Sequence, residues 1–166
     1  MTQAPPTSPP KLDQIPLNGL LEIVIEAVFS EFRAELEEAG YGDIRPSHGC
    51  VFRFVREDGM RLTDLASLAG ITKQSAGEVV DDLVSRGYVE RVQDLGDRRA
   101  KLIRLTAKGE EAQRVGFGLF AKIERRWGRR YGAERLAAMR ELAEEIAVTE
   151  QPQLVPELSR AAKSAA

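Results

Sequence analysis

Between Arg61 and Val89 the chain reads RLTDLASLAGITKQSAGEVVDDLVSRGYV, and this stretch limits the possible folds more than any other. Thr63 is placed to cap a short helix that turns Leu65, Ala66 and Leu68 inward. Gly70-Ile71 breaks that helix, and Thr72 is placed to cap a second one whose inward residues are Val79, Val80 and Leu83. Gly87 ends the second helix. Two short helices joined by a tight glycine-containing turn form a helix-turn-helix, with Ile71 able to plug the angle between them.

The next segment of the chain narrows the fold further. Tyr88–Val92 alternates like a strand, Asp94–Arg99 reads as a turn, and Lys101–Leu105 alternates again. The pattern predicts a two-stranded ribbon with a basic tip. From Arg86 to Arg104, six basic side chains (Arg86, Arg91, Arg98, Arg99, Lys101, Arg104) meet only Glu90, Asp94 and Asp97, a local charge of +3 in a chain of net charge −2. The basic character is therefore concentrated at one place, although the chain as a whole is slightly acidic.

Long helices flank this unit. Leu17–Ala39 is strongly periodic, with Leu21, Ile25, Phe29, Phe32 and Leu36 at three- and four-residue steps before Gly40. Leu20, Ile23, Val24 and Val28 widen its apolar stripe beyond what one neighbour needs. Pro46 suits the start of a second helix running to about Val55, and Glu57-Asp58-Gly59 is a turn. After the ribbon, Thr106 can cap a long helix with Val115, Leu119, Ile123 and Trp127 on one face, broadened by Phe117 and Phe120. Gly132 breaks it before a last helix with Leu136, Met139, Ala143 and Ile146, spaced for packing against another helix. The first helix carries six glutamates against one arginine, and the fifth gathers Lys122, Arg125, Arg126, Arg129 and Arg130 against Glu124. That asymmetry predicts ion pairing among the long helices, an additional nucleic-acid patch being the other possibility.

Several classes of function are excluded or disfavoured. With one histidine, His48, and one cysteine, Cys50, there is no intrachain disulfide, no cysteine-based zinc site and little from which to build a triad. There is no glycine-rich phosphate loop and no metal-ligand spacing, so neither an enzyme, a cofactor nor a metal is expected. No apolar run approaches the roughly 18 residues of a membrane span, and the opening MTQAPPTSPPKLDQIP lacks the apolar core of a secretory signal. A reducing cytoplasm is the expected compartment. Residues 1–16 hold five of the eight prolines and read as a disordered tail.

The strings LTDLASLAGITKQSAGEVVDDLVSRGYVERV and DLGDRRAKLIRLTAKG resemble the MarR (multiple antibiotic resistance regulator) family of bacterial winged-helix repressors. The second is the more telling: Asp97, Arg99, Leu105-Thr106 and Gly109 look like that family's wing signature. The resemblance spans about Leu17 to Val148. It implies an obligate homodimer held by the first helix and the last two, recognition helices in successive major grooves, wings in the flanking minor grooves, and a ligand pocket between dimer bundle and DNA-binding lobe. The expected architecture is mainly α with a small β-hairpin wing: a winged helix-turn-helix lobe (46–105) on a helical dimerisation bundle (17–45 and 106–150), with a C-terminal tail (151–166).

Residue by residue, the outward polar start of the recognition helix supplies Thr72, Lys73, Gln74, Ser75 and Glu78 as candidate DNA contacts, with Thr63 on the preceding helix. Lysine reaches phosphate or guanine, and glutamine can pair both edges of adenine in the major groove. Ser75 and Thr72 suit the phosphate backbone. In the wing the candidates are Asp97, Arg98, Arg99 and Lys101; an arginine tip suits a narrow minor groove. By resemblance Asp97 braces Arg99, while the neighbouring Arg98 leaves open which arginine enters the groove. Leu21, Ile25, Leu119, Ile123, Leu136, Met139 and Ile146 are the candidate dimer contacts. His48, Phe52 and Arg53 are candidate anchors for a small aromatic or phenolic effector, and Cys50 is a candidate redox thiol or a small buried hydrophobe. The expected partners are double-stranded DNA, a second copy of the chain and such an effector. The competing reading is a winged-helix protein–protein interaction module that does not touch DNA; arginines at the wing tip favour the nucleic acid.

Overall fold

In the computed structural model the described residues are 12–94, 96–97 and 100–156. The chain runs α1 (Leu17–Glu38), α2 (Gly49–Phe54), β1 (Met60–Arg61), α3 (Leu62–Ala69), α4 (Lys73–Ser85), β2 (Val89–Gln93), β3 (Lys101–Leu105), α5 (Ala107–Tyr131) and α6 (Ala133–Glu150). Short 3-10 turns at Leu12–Gln14 and Pro46–His48 lead into α1 and α2. The first of these lies within the stretch expected to be a tail.

The helix-turn-helix is built by α3 and α4. Gly70 takes the left-handed conformation, φ +65°, that lets the chain leave α3 sharply. Thr72 caps α4 by accepting a hydrogen bond from the Ser75 backbone N–H at 3.1 Å. Two local expectations fail. Arg61, not Thr63, is the residue before the first turn of α3, and no side chain caps it; Thr63 lies inside the helix and donates to Asp64 at 3.3 Å. Ile71 is 37% exposed and stands outside the lobe's buried core, to which Leu65, Val80 and Leu83 belong.

β2 and β3 form the antiparallel ribbon, with Val89 opposite Leu105 and Gln93 opposite Lys101. The sequence pattern predicts these two strands alone, and the sheet has a third. β1 pairs with the other edge of β3, Met60 opposite Ile103, giving the order β1-β3-β2. Two residues are too few to show a period of two, so β1 leaves no pattern in the sequence.

One apolar core holds the lobe together: Val51, Phe54, Met60, Leu65, Val80, Leu83, Tyr88, Val89 and Ile103 are all buried in it. The bundle is held differently. Phe32 of α1 stacks on Phe120 of α5 with centroids 4.2 Å apart, and Phe29 meets Phe120 edge-on at 5.9 Å. Beside them Glu35 pairs with Lys122 and Arg126, each at 2.8 Å, and Glu31 pairs with Arg126 while accepting from Trp127 Nε1 at 3.2 Å. The acidic first helix and basic fifth helix thus neutralise one another within a single chain. α6 buries none of its residues, and Met139, Leu142, Ile146 and Val148 all stand exposed.

Candidate nucleic-acid interface

The outward face of α4 carries Lys73, Gln74, Ser75 and Glu78, all exposed, while Ala76, Val80 and Leu83 turn into the core. Its first turn is preorganised: the Thr72 and Ser75 hydroxyls lie 2.9 Å apart, and Gln74 Nε2 donates to Glu78 Oε1 at 3.1 Å. The far end of the helix is tied down. Asp82 accepts from His48 Nε2 at 2.8 Å and pairs with Arg86 Nε at 3.0 Å. Arg86 and then His48 hold the Asp82 carboxyl below the usual carboxylate range.

The wing is anchored at its root and braced along its edge. Thr106 donates to the Gly87 carbonyl at 2.6 Å and accepts from the Gly109 N–H at 3.1 Å, so one hydroxyl fixes the start of the wing to the first turn of α5. Lys108 places its Nζ 3.9 Å from the centre of the Tyr88 ring and donates to the Arg86 carbonyl at 3.0 Å. Tyr88 in turn donates to Asp43 at 2.7 Å, and burial together with that carboxylate raises its phenol pKa. Along the ribbon Arg61 of β1 reaches Asp94 at 2.7 Å and Asp97 at 3.7 Å. Asp94 also accepts from the Gly96 N–H at 2.8 Å, closing the turn, and Arg61 followed by that N–H lowers its pKa. The carboxylates of the wing are therefore gathered by Arg61, a residue that no motif or spacing in the sequence marks.

Of the basic residues at the wing, Arg91 pairs with Asp81 of α4, and Arg104 pairs with Glu90 at 2.9 Å. Arg91–Asp81 joins wing to recognition helix. Lys73 and Lys101 are exposed and form no ion pair among the described residues. Arg98 and Arg99 lie outside the described residues.

A sequence profile of the MarR family matches residues 43–100, which run from the loop before α2 to the residue before β3 and include the helix-turn-helix and the first strand of the wing. The solved transcriptional regulator PA4135 is 30% identical, with a TM-score of 0.63 over 80% of this chain and 96% of that one. The chain belongs to the MarR family. A further relative is the HTH-type transcriptional regulator PetP of Rhodobacter capsulatus, 35% identical over 105 residues. That match covers 55% of this chain and 62% of PetP's own length. CouR from Rhodococcus jostii RHA1, solved bound to p-coumaroyl-CoA, shares the MarR-family fold at a TM-score of 0.64 and 22% identity, covering 82% of this chain and 92% of that one.

The residues expected to hold an effector do not gather at an open site. His48 is 1% exposed, with Nε2 on Asp82 and Nδ1 accepting the Arg45 backbone N–H at 3.0 Å. Both nitrogens are used, and burial, against the opposing pull of Asp82, lowers the imidazole pKa. Phe52 packs edge-on to Tyr88 with centroids 5.9 Å apart, and Arg53 is exposed above Phe54. Cys50 is half-buried and donates to the Ser47 carbonyl at 3.3 Å; burial raises its thiol pKa, which disfavours the reactive thiolate. A cavity of about 220 Å³ lies instead among Glu57, Leu105, Glu110, Gln113 and Arg114. Gln113, which sequence reasoning alone does not find, is buried and donates through Nε2 to the Phe52 carbonyl at 2.7 Å, fastening α5 to the end of α2.

The candidate dimer residues divide. Leu21, Ile25, Met139 and Ile146 are exposed, Leu119 and Leu136 are half-buried, and Ile123 is 2% exposed within its own chain. Ile123 therefore already serves the packing of α5 inside one subunit. Among the described residues no helix is long and apolar enough to cross a membrane.

Proposed function

We propose that the chain is a transcriptional regulator that binds a pseudo-palindromic DNA site as a homodimer and responds to a small effector. The observation that carries this reading is the outward start of α4. Five polar residues from Thr72 to Glu78 are exposed on a capped helix that Arg91–Asp81 ties directly to the wing. A helix presented in this way fits the major groove, and a ribbon beside it reaches the adjacent backbone and minor groove. Thr72, Ser75 and Lys73 serve phosphate contacts, Gln74 and Glu78 face base edges, and Lys101 with Arg98 and Arg99 supplies the wing's positive charge.

The second copy is supported by the apolar face that α6 and the start of α1 leave exposed. Two-fold pairing places recognition helices one helical turn of DNA apart, about 34–36 Å. An aromatic effector is suggested only by the likeness of fold to CouR, and the junction of bundle and lobe is where we would look for its site.

Selection of duplexes from a randomised library, followed by titration at several salt concentrations, tests the reading. The expected result is a preferred duplex bound at least about 10³-fold more tightly than random sequence, with affinity falling steeply as salt rises. Failure to bind any duplex at low salt would sink it.

A further inference from the structure

α4 carries three acidic side chains, and the protein treats one of them differently. Asp81 is ion-paired with Arg91, and Asp82 is held by Arg86 and His48. Glu78 is exposed and has no cationic partner among the described residues; it accepts only the Gln74 amide, 3.1 Å away. An uncompensated carboxylate on the face of a helix that approaches a polyanion weakens binding to every sequence alike. The fold neutralises the two other acids of this helix and leaves this one, in its first two turns, bare.

We propose that Glu78 is a specificity-determining residue: steadied by Gln74, its carboxylate selects a base with an exocyclic amino group and rejects keto bases at the position it meets. The inference rests on the DNA-binding reading above and names what that interface reads.

The chemistry comes from the pair's geometry. Gln74 spends one N–H on Glu78, which holds both side chains in place; Gln74 keeps its other N–H and Oε1, a mixed pair, while the second carboxylate oxygen of Glu78 stays free as a purely accepting, charged group. In the major groove adenine offers N6–H and cytosine N4–H, whereas guanine presents O6 and thymine O4. Acceptor against amino group makes a hydrogen bond. Acceptor against keto oxygen is repulsive, the more so for a full negative charge. Rejection is then as important as attraction. Residues four apart rise about 6 Å along the helix, so the pair spans neighbouring base pairs. Gln74 consequently orients Glu78 while keeping the donor and acceptor that pair with adenine.

Duplexes selected from a randomised library by the full chain, and separately by Glu78→Gln and Gln74→Ala, test this directly. The expected wild-type sites carry adenine or cytosine on one strand at the position that Glu78 meets in each half-site. Replacing it by a keto base, or deleting the amino group by substituting purine for adenine, should cost the wild type about 5- to 100-fold in affinity. Glu78→Gln, which adds a donor and removes the charge, should accept amino and keto bases within about threefold of each other at that position and bind random duplex more tightly. Wild-type sites carrying guanine or thymine there would overturn the inference, as would a Glu78→Gln variant with unchanged preference. Circular dichroism melting of both variants separates a loss of discrimination from a loss of fold. If the wild type selects no duplex at all, the DNA-binding reading itself fails.

Discussion

His48 Nε2 lies 2.8 Å from Asp82 Oδ2, so the only histidine of the chain fastens the recognition helix to the start of α2. Because Nδ1 accepts the Arg45 N–H, the ring proton sits on Nε2 and points at the carboxylate. Desolvation outweighs Asp82 and, with Arg86 and Arg45 nearby, keeps the imidazole neutral.

This predicts a direction for pH dependence. A histidine whose folded pKa is depressed binds its proton more readily when unfolded, so its contribution is present above the unfolded value of 6.5 and is lost as pH falls below it. His48→Leu should cost about 1–3 kcal/mol at neutral pH by leaving the Arg45 N–H and Asp82 short of a partner. It should also flatten the stability profile below about pH 6.5. Urea melts of both proteins across that range check both effects; an equally steep profile in the variant would show that another group carries it.

Gly109 predicts a purely steric effect. A Cβ built there meets the Tyr88 carbonyl oxygen at 2.1 Å, and that carbonyl already accepts from the Thr106 N–H at 3.0 Å. Neither backbone segment can move without breaking the root of the wing. Gly109→Ala should cost about 1–3 kcal/mol and lower the melting temperature by roughly 3–10 °C. Gly118→Ala, where nothing lies within 4 Å, is the control and should leave the melt unchanged or slightly higher.

The same residues show how much is legible in the sequence. The string LTAKG announces a wing root, and the structure gives each of Thr106, Lys108 and Gly109 a separate physical task there. The helices are legible because Phe29, Phe32 and Leu36 or Val80 and Leu83 repeat at helical spacing. Arg61 is not. Its role depends on β1 lying beside β3, a pairing between segments some forty residues apart that no local period encodes. His48 misleads for the related reason that a lone histidine does not announce its partner, and Asp82 is 34 positions away. Charge alone points to the match between α1 and α5, but cannot tell pairing within a subunit from pairing between two; Glu31, Glu35 and Arg126 meet inside one chain.

Arg61 and Asp94 predict a phenotype confined to the wing. Arg61→Ala removes the cation that gathers Asp94 and Asp97, so the wing should present more negative charge towards the phosphates. Affinity should fall on selected and random duplexes together, about 5- to 50-fold at low salt, with base preference retained. Titration of both duplexes checks this. A variant that loses discrimination while keeping affinity for random sequence would place Arg61 in base reading instead.

The exposed face of α6 predicts the assembly. Leu142 is 58% exposed and Ile146 52%, one turn apart, while the lobe's core is complete without them. Apolar side chains in such a row leave water favourably, at about 25 cal/mol per Å² buried, only when a partner covers them. α6 buries no residue of its own, and Arg140 merely spans from it to Glu124 of α5 at 2.6 Å. Ile123, by contrast, is sealed inside the subunit, so replacing it tests folding and not association. The double variant Leu142→Glu, Ile146→Glu should therefore sediment as a monomer with an unaltered far-ultraviolet spectrum of the lobe. It should bind an isolated half-site while losing the gain that two half-sites give the dimer. Sedimentation velocity and paired titrations on half and full sites measure these separately. If the variant sediments as a dimer and prefers the full site as strongly as the parent, the two-fold contact lies elsewhere, with the start of α1 the next surface to test.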